Sequence, residues 1–292
     1  MLFSLLVTLR EGIEIALVIT ILLGYLRNIN QKRHFREIWI GIGLAVALSV
    51  AFGVALEITS RELSGPVLEA FEGFTMLFAV AVLTWMVFWM KRQSAGISRE
   101  LRSQIDSALS HGSVFALAML AFSAVAREGI ETTLFLFAGS TGVASGTQFV
   151  LGGLLGFGIA GAAGVILYYG AAKLPLKQFF LVSGIAVIVL AAGLLSNSLA
   201  NLHAAAIIDN IGSRPWDTEQ TIPMTSTMGK FLHTVLGYDS APAMAQIVLY
   251  WGYVVIVLGA YLVLPAGKPQ RTRTIPSATP ARASANDLAH KT

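Results

Sequence analysis

Residues 2–26 read LFSLLVTLREGIEIALVITILLGYL and residues 112–138 read GSVFALAMLAFSAVAREGIETTLFLFA. Each is an apolar run of membrane-crossing length, interrupted once by a charged pentapeptide: Arg10-Glu11-Gly12-Ile13-Glu14 in the first, Arg127-Glu128-Gly129-Ile130-Glu131 in the second. A carboxylate or guanidinium at the centre of a membrane helix costs roughly 2.5–3.5 kcal/mol, so six independent ones would cost about 15–20 kcal/mol. That is comparable to the whole stability of an ordinary fold. The groups must therefore pair with one another, face water, or bind something that rewards their burial.

Composition places these runs in a bilayer. The 292 residues are 55% hydrophobic and 12% charged, about half the charged share of soluble domains. Further apolar stretches cover about 38–58, 67–90, 148–170, 178–200 and 244–264, each long enough to cross a hydrocarbon core of about 30 Å as a helix. The expectation is an all-α polytopic membrane protein with seven spans in one domain, 1–264, followed by a basic, Pro/Ala/Ser/Thr-rich tail, 265–292, read as disordered and cytoplasmic. The first span lacks a basic leader and a small-residue cleavage site, so it is expected to persist as a mature helix. Without cysteine, disulfides, thiolate metal sites and cysteine nucleophiles are excluded. Most lysines and arginines outside the spans fall on one side, among them Arg27, Lys32, Arg33, Arg36, Lys91, Arg92, Arg99, Arg102, Lys173 and Lys177, against Arg61, Arg214 and Lys230 on the other. Cytoplasmic loops collect positive charge, which predicts an outside N-terminus and an inside C-terminus. The sequence pI of 9.4 then describes loops facing anionic lipid, and no nucleic-acid partner is needed.

The motif recurs three spans later. An odd interval reverses direction, so spans one to three and four to six predict a 3+3 inverted repeat with the seventh helix added, the arrangement of transporters whose site lies near the midplane. At 100° per residue Arg10, Glu11 and Glu14 share one arc of about 100°, as do Arg127, Glu128 and Glu131, while Gly12 and Gly129 permit close helix approach. Two such faces opposed bring four carboxylates to two guanidiniums, a surplus of negative charge that suits a cation. Carboxylate oxygens prefer hard metal ions, and the arginines can orient them by charge-assisted hydrogen bonds. Glu69 and Glu72 share a face at the outer end of the third span, with Glu57 and Glu62 near, and the long outer loop at about 201–243 holds Asp209, Asp217, Glu219 and Asp239. Such a field draws cations from outside.

These residues resemble the oxidase-dependent iron transporter family, in its bacterial iron-permease branch of the EfeU type. The resemblance rests on the two Arg-Glu-Gly-Ile-Glu motifs, where the family usually has Leu for Ile, on Glu69-Ala70-Phe71-Glu72-Gly73, on Thr84-Trp85-Met86-Val87-Phe88-Trp89-Met90, on Asp106-Ser107-Ala108-Leu109, and on Gly237-Tyr238 with Ala241-Pro242. It covers Met1 to about Leu264. It implies a seven-span inner-membrane permease moving iron inward, with iron as cargo, no prosthetic group and no enzymatic activity. It further implies Glu11, Glu14, Glu128 and Glu131 as metal-handling carboxylates and Glu69 and Glu72 as an outer site. Family members work beside periplasmic iron-binding and haem-peroxidase proteins, or a multicopper oxidase in fungi. The outer loop around 204–230 matches least.

Plainer readings stand beside each signal. Arg10 with Glu14 and Arg127 with Glu131 are i,i+4 pairs that could simply lock helices together, yet two arginines leave two glutamates unneutralised. Glu69 and Glu72 also suit a solvated helix start. His203 is expected to be interfacial, and Asp106 to cap a helix leading into the fourth span. Gly152, Gly156, Ala160 and Gly164 form a small-residue stripe, expected to pack within the monomer rather than at a dimer seam. Among other functions, a permease for manganese shares the same ligand chemistry. A membrane di-iron enzyme would need Glu-x-x-His motifs, which the sequence lacks.

Overall fold

The computed structural model describes residues 1–93, 97–110, 114–140, 146–170 and 176–264; the tail at 265–292 lies outside them. Among the described residues the chain is built of helices: α1 (Leu2–Asn28), α2 (Phe35–Glu62), α3 (Pro66–Gln93), α4 (Ile97–Ser110), α5 (Val114–Ser140), α6 (Gly146–Tyr168), α7 (Leu176–Ala204), α8 (Thr227–Leu236), α9 (Met244–Tyr253) and α10 (Gly259–Val263). A π-helical stretch, Val254–Leu258, joins the last two into one rod. Among the described residues five helical segments are long and apolar enough to cross a membrane: Lys32–Glu62, Pro66–Arg92, Gly146–Tyr168, Gln178–Ala204 and Met244–Val263. α1 and α5, at 27 residues each, have the length too, and they are the two helices interrupted by the charged motifs.

How the helices associate follows from where side chains are small. α6 presents Gly152, Gly156, Ala160 and Gly164 to α1. A methyl group on Gly152 would strike the Met1 carbonyl, one on Gly156 the Thr8 hydroxyl and the Leu5 carbonyl, and one on Gly164 would come within 2.8 Å of Ala16 Cβ. The two helices run parallel, since 152, 156 and 164 meet 1, 5–8 and 16 in the same order. The stripe thus packs inside the monomer, as its spacing suggested. α2 and α5 repeat this relationship. Gly41 lies on the Ala118 carbonyl, Ser49 fills the space beside Gly129, and Gly53 would place a methyl 2.8 Å from Thr133. Gly41, Ala45, Ser49 and Gly53 are therefore a second stripe at four-residue spacing, one that the sequence reading passed over.

The remaining principal pairs are α3 with α7 and α1 with α5. α1 and α5 are antiparallel: Phe3 occupies the space left by Gly139, while Leu22 and Leu26 share a buried cluster with Leu117 and Ala121 at the other end. Exchanging α1 with α5, α2 with α6 and α3 with α7 maps each of these pairs onto another or onto itself. That is the signature of an internal repeat. The C-terminal rod leans on this frame through Tyr261, whose hydroxyl donates to the Phe180 carbonyl at 3.1 Å, and through Tyr253, 2.6 Å from the Thr84 hydroxyl.

The amphipathic α4 was not foreseen as a separate element. Asp106 sits within it rather than capping it, and accepts a hydrogen bond of 2.6 Å from the Tyr25 hydroxyl at the end of α1. Ile105 and Ala108 bury its apolar side beneath α1 and α5.

Candidate metal centre

Because α1 and α5 cross with opposite direction, their pentapeptides meet. Arg10 is 2% exposed, Glu11 1%, Glu14 4%, Glu128 3% and Glu131 8%. The guanidinium of Arg10 donates through Nη1 to Glu11 Oε1 at 2.6 Å, and its Nη2 stands 3.1 Å from Glu14 Oε1. Arg127 pairs with Glu128 Oε1, through Nε at 3.0 Å and also through Nη2, and lies 3.8 Å from Glu131 Oε1. Each arginine thus engages the Oε1 atoms of its own helix. Glu11 Oε2, Glu128 Oε2 and Glu131 Oε2 are buried without a hydrogen-bond partner, and so is Glu14 Oε1, whose contact with Arg10 is an ion pair only. Leaving a buried carboxylate oxygen unsatisfied is costly unless something else coordinates it.

Glu11, Glu128 and Glu131 each bring one carboxylate oxygen within 4.8 Å of the others. Three hard donors converging from two helices, in a cluster with more acids than bases, are the donor chemistry that a divalent cation of the Mg²⁺, Mn²⁺ or Fe²⁺ type accepts. Glu14 does not join this triad and remains beside Arg10. The i,i+1 contacts of each Arg with the following Glu are the tighter ones, so the sequence reading that stressed i,i+4 pairing describes the weaker half of the arrangement.

α3 closes the third side. Met86 Sδ accepts from Arg10 Nη1 at 3.2 Å, and the ring of Trp89 lies 4.3 Å from the Arg127 guanidinium carbon, itself stacked on Trp85. Neither contact could be read from sequence, although both residues fall in the apolar segment that carried part of the family resemblance.

Glu69 and Glu72 lie elsewhere. Fourteen residues of α3 separate Glu72 from Met86, roughly 21 Å of helix rise. Both acids are half-buried, and Glu72 accepts from Asn201 of α7 at 3.3 Å. Glu57 pairs with Arg61 at 2.8 Å on the surface. In the outer loop, Asp217 and Asp239 accept from the backbone of Glu219 and Ala241, and the Glu219 carboxylate from that of Met224, so these acids hold turns. His203 contacts the Ile208 carbonyl at 2.7 Å, an end-of-helix role.

Comparison with known proteins follows the same lines. The model of a family described as the iron permease FTR1 family matches residues 1–268. Among curated relatives, the ferrous iron permease EfeU of Escherichia coli O6:K15:H31 is 32% identical over 272 residues, covering 92% of this chain and 98% of the relative. The ferrous iron permease EfeU of Yersinia pestis is 32% identical over 263 residues, 89% of this chain and 93% of the relative. No solved structure matches.

Proposed function

The chain belongs to the iron permease FTR1 family, and from that premise we propose that it imports iron, taken as Fe²⁺, across the inner membrane through the carboxylate centre between α1 and α5. The observation that carries this reading is the triad of Glu11, Glu128 and Glu131, whose carboxylates converge from two antiparallel helices and each keep one buried oxygen without a hydrogen-bond partner. Four glutamates against two arginines leave a net charge of minus two, which one divalent cation neutralises. Arg10 and Arg127 keep the carboxylates oriented between passages by holding one oxygen of each pair. An incoming ion is then met by the converging carboxylates of the triad. Iron is the cargo in this scheme, and as members of a permease family these residues bind it without chemical turnover.

Seven spans, with α1 and α5 crossing among the other five, suit the excess of basic residues on one side and give an outside N-terminus. The parallel α1/α6 and α2/α5 pairs and the antiparallel α1/α5 pair support a 3+3 inverted repeat whose halves rock about the centre. Glu69 and Glu72 act as an outer station, drawing iron toward the bundle. Periplasmic iron-binding and peroxidase or oxidase proteins would deliver it to the outer loop. The membrane domain spans 1–264, and the tail at 265–292 is cytoplasmic.

Manganese is the competitor that the donor set alone does not reject. The test is radioactive iron uptake into proteoliposomes by the wild type and by Glu128→Gln and Glu131→Gln, each with Mn²⁺ as competitor. Loss of iron uptake in both variants, with protein level and helicity retained, is the expected result. Uptake unchanged in both would overturn the proposal.

A further inference from the structure

Met86 stands where an ion would find it. Its thioether sulfur, on a side chain only 2% exposed, accepts from the same Arg10 Nη1 that donates to Glu11 Oε1. With those two contacts at 2.6 and 3.2 Å, the sulfur and the Glu11 oxygen are at most about 5.8 Å apart. A guanidinium nitrogen shared between a carboxylate and a thioether marks a point that both donors already face. A metal bridging oxygen and sulfur holds them roughly 3–3.6 Å apart, a difference that the three flexible torsions of methionine can close. Were Met86 only core filling, leucine would serve there, and the sulfur's orientation toward a cation would be incidental.

Resting on the iron-permease reading above, we infer that Met86 is a further, specificity-determining ligand, whose thioether joins the carboxylates on the passing ion after displacing Arg10 Nη1. The carboxylates supply charge that any hard divalent cation accepts. A thioether adds a softer donor, which gains more on Fe²⁺ than on Mn²⁺, and little on Ca²⁺ or Mg²⁺. α3 thereby contributes selectivity to a centre whose charge comes from α1 and α5.

The absence of cysteine makes the test direct, because a sulfur neighbour of bound iron in this chain must be a methionine. The purified full-length protein, loaded anaerobically with Fe²⁺ in detergent, is measured by iron K-edge X-ray absorption. A sulfur scatterer is expected in the wild type and is expected to be lost in Met86→Leu; uniform selenomethionine labelling should convert it to a selenium scatterer without any substitution. In proteoliposomes, Met86→Leu should lower the ratio of iron to manganese uptake roughly tenfold, the scale of a change in a metal's immediate surroundings. A wild-type spectrum with oxygen neighbours only, or a sulfur shell that persists in Met86→Leu, overturns the role of Met86 while leaving the carboxylate centre standing. Failure of the wild type to bind iron at all would instead sink the permease reading on which it rests.

Discussion

The same five residues occur twice, and the protein treats them differently. In the α1 copy Arg10 is 2% exposed and enclosed by Glu11, Glu14 and Met86; in the α5 copy the Arg127 side chain is 40% exposed and covered on one face by Trp89. Burial of the glutamates is similar in both, so in exposure it is the arginines that differ. An arginine sealed among carboxylates and a thioether gives up those contacts only to an incoming ion, whereas one lying over an indole at the edge of the cluster is open to water on its other side. Identical local sequence therefore sets which charges share a helix face, and the neighbouring helix decides what covers each charge.

Breaking the sealed copy should do the most damage. Arg10→Ala strands Glu11 and Glu14 as buried, uncompensated charges, and a loss of about 3–5 kcal/mol in stability is expected. Arg127→Ala should cost no more than about a third of that, because Arg127 is itself 40% exposed and its own pairing is already screened by water that can take its place. Thermal unfolding in detergent with circular dichroism compares the two, and equal losses would erase the distinction between the copies.

Within the centre, Glu131→Gln is expected to lower iron uptake by about a hundredfold. Glu14→Gln, outside the triad, should lower it by less than about tenfold. The reverse order in a flux assay would move the centre of the site toward the Arg10 copy.

The helices that carry the two copies can be separated from their partners in matched ways. Gly152→Ala meets the Met1 carbonyl and Gly41→Ala the equivalent Ala118 carbonyl, so each should destabilise by about 1–3 kcal/mol. Similar losses in chemical unfolding are expected of pairs related by the repeat. A null effect at one of them would show that the repeat is not shared in energy.

Smallest is the effect of Trp89→Leu. It removes the aromatic face beneath Arg127 and should cost about 0.5–1 kcal/mol, with an accompanying rise in the salt dependence of iron uptake as the Arg127–Glu128 pair loses that cover. An unchanged salt profile would mean that the indole does not shield the pair.

Much of this was legible beforehand. Apolar runs of membrane length, helix periodicity and the small-residue stripe at 152–164 follow from rules that depend on neighbours along the chain, and the structure places the helices within a few residues of the expected runs. Harder to read was the second stripe, Gly41 to Gly53, because Ala45 and Ser49 look like ordinary members of an apolar span until α5 is laid against them. Asp106 was read as a cap for lack of any sign that Tyr25, 81 residues earlier, would donate to it.

By itself the sequence determined that the chain is helical, that it belongs in a bilayer, and that each pentapeptide sets one arginine and two glutamates on a common face, since a helix fixes the angle between residues three and four apart. Only the tertiary structure decided that Glu11, Glu128 and Glu131 converge while Glu14 stays with Arg10, that Met86 and Trp89 form the third wall, and that Glu69 and Glu72 lie apart. Those outcomes depend on which helices touch, in which direction and at which height. Such contacts are settled by the fit of small residues against distant backbone, where periodicity along one helix carries no information about its neighbour.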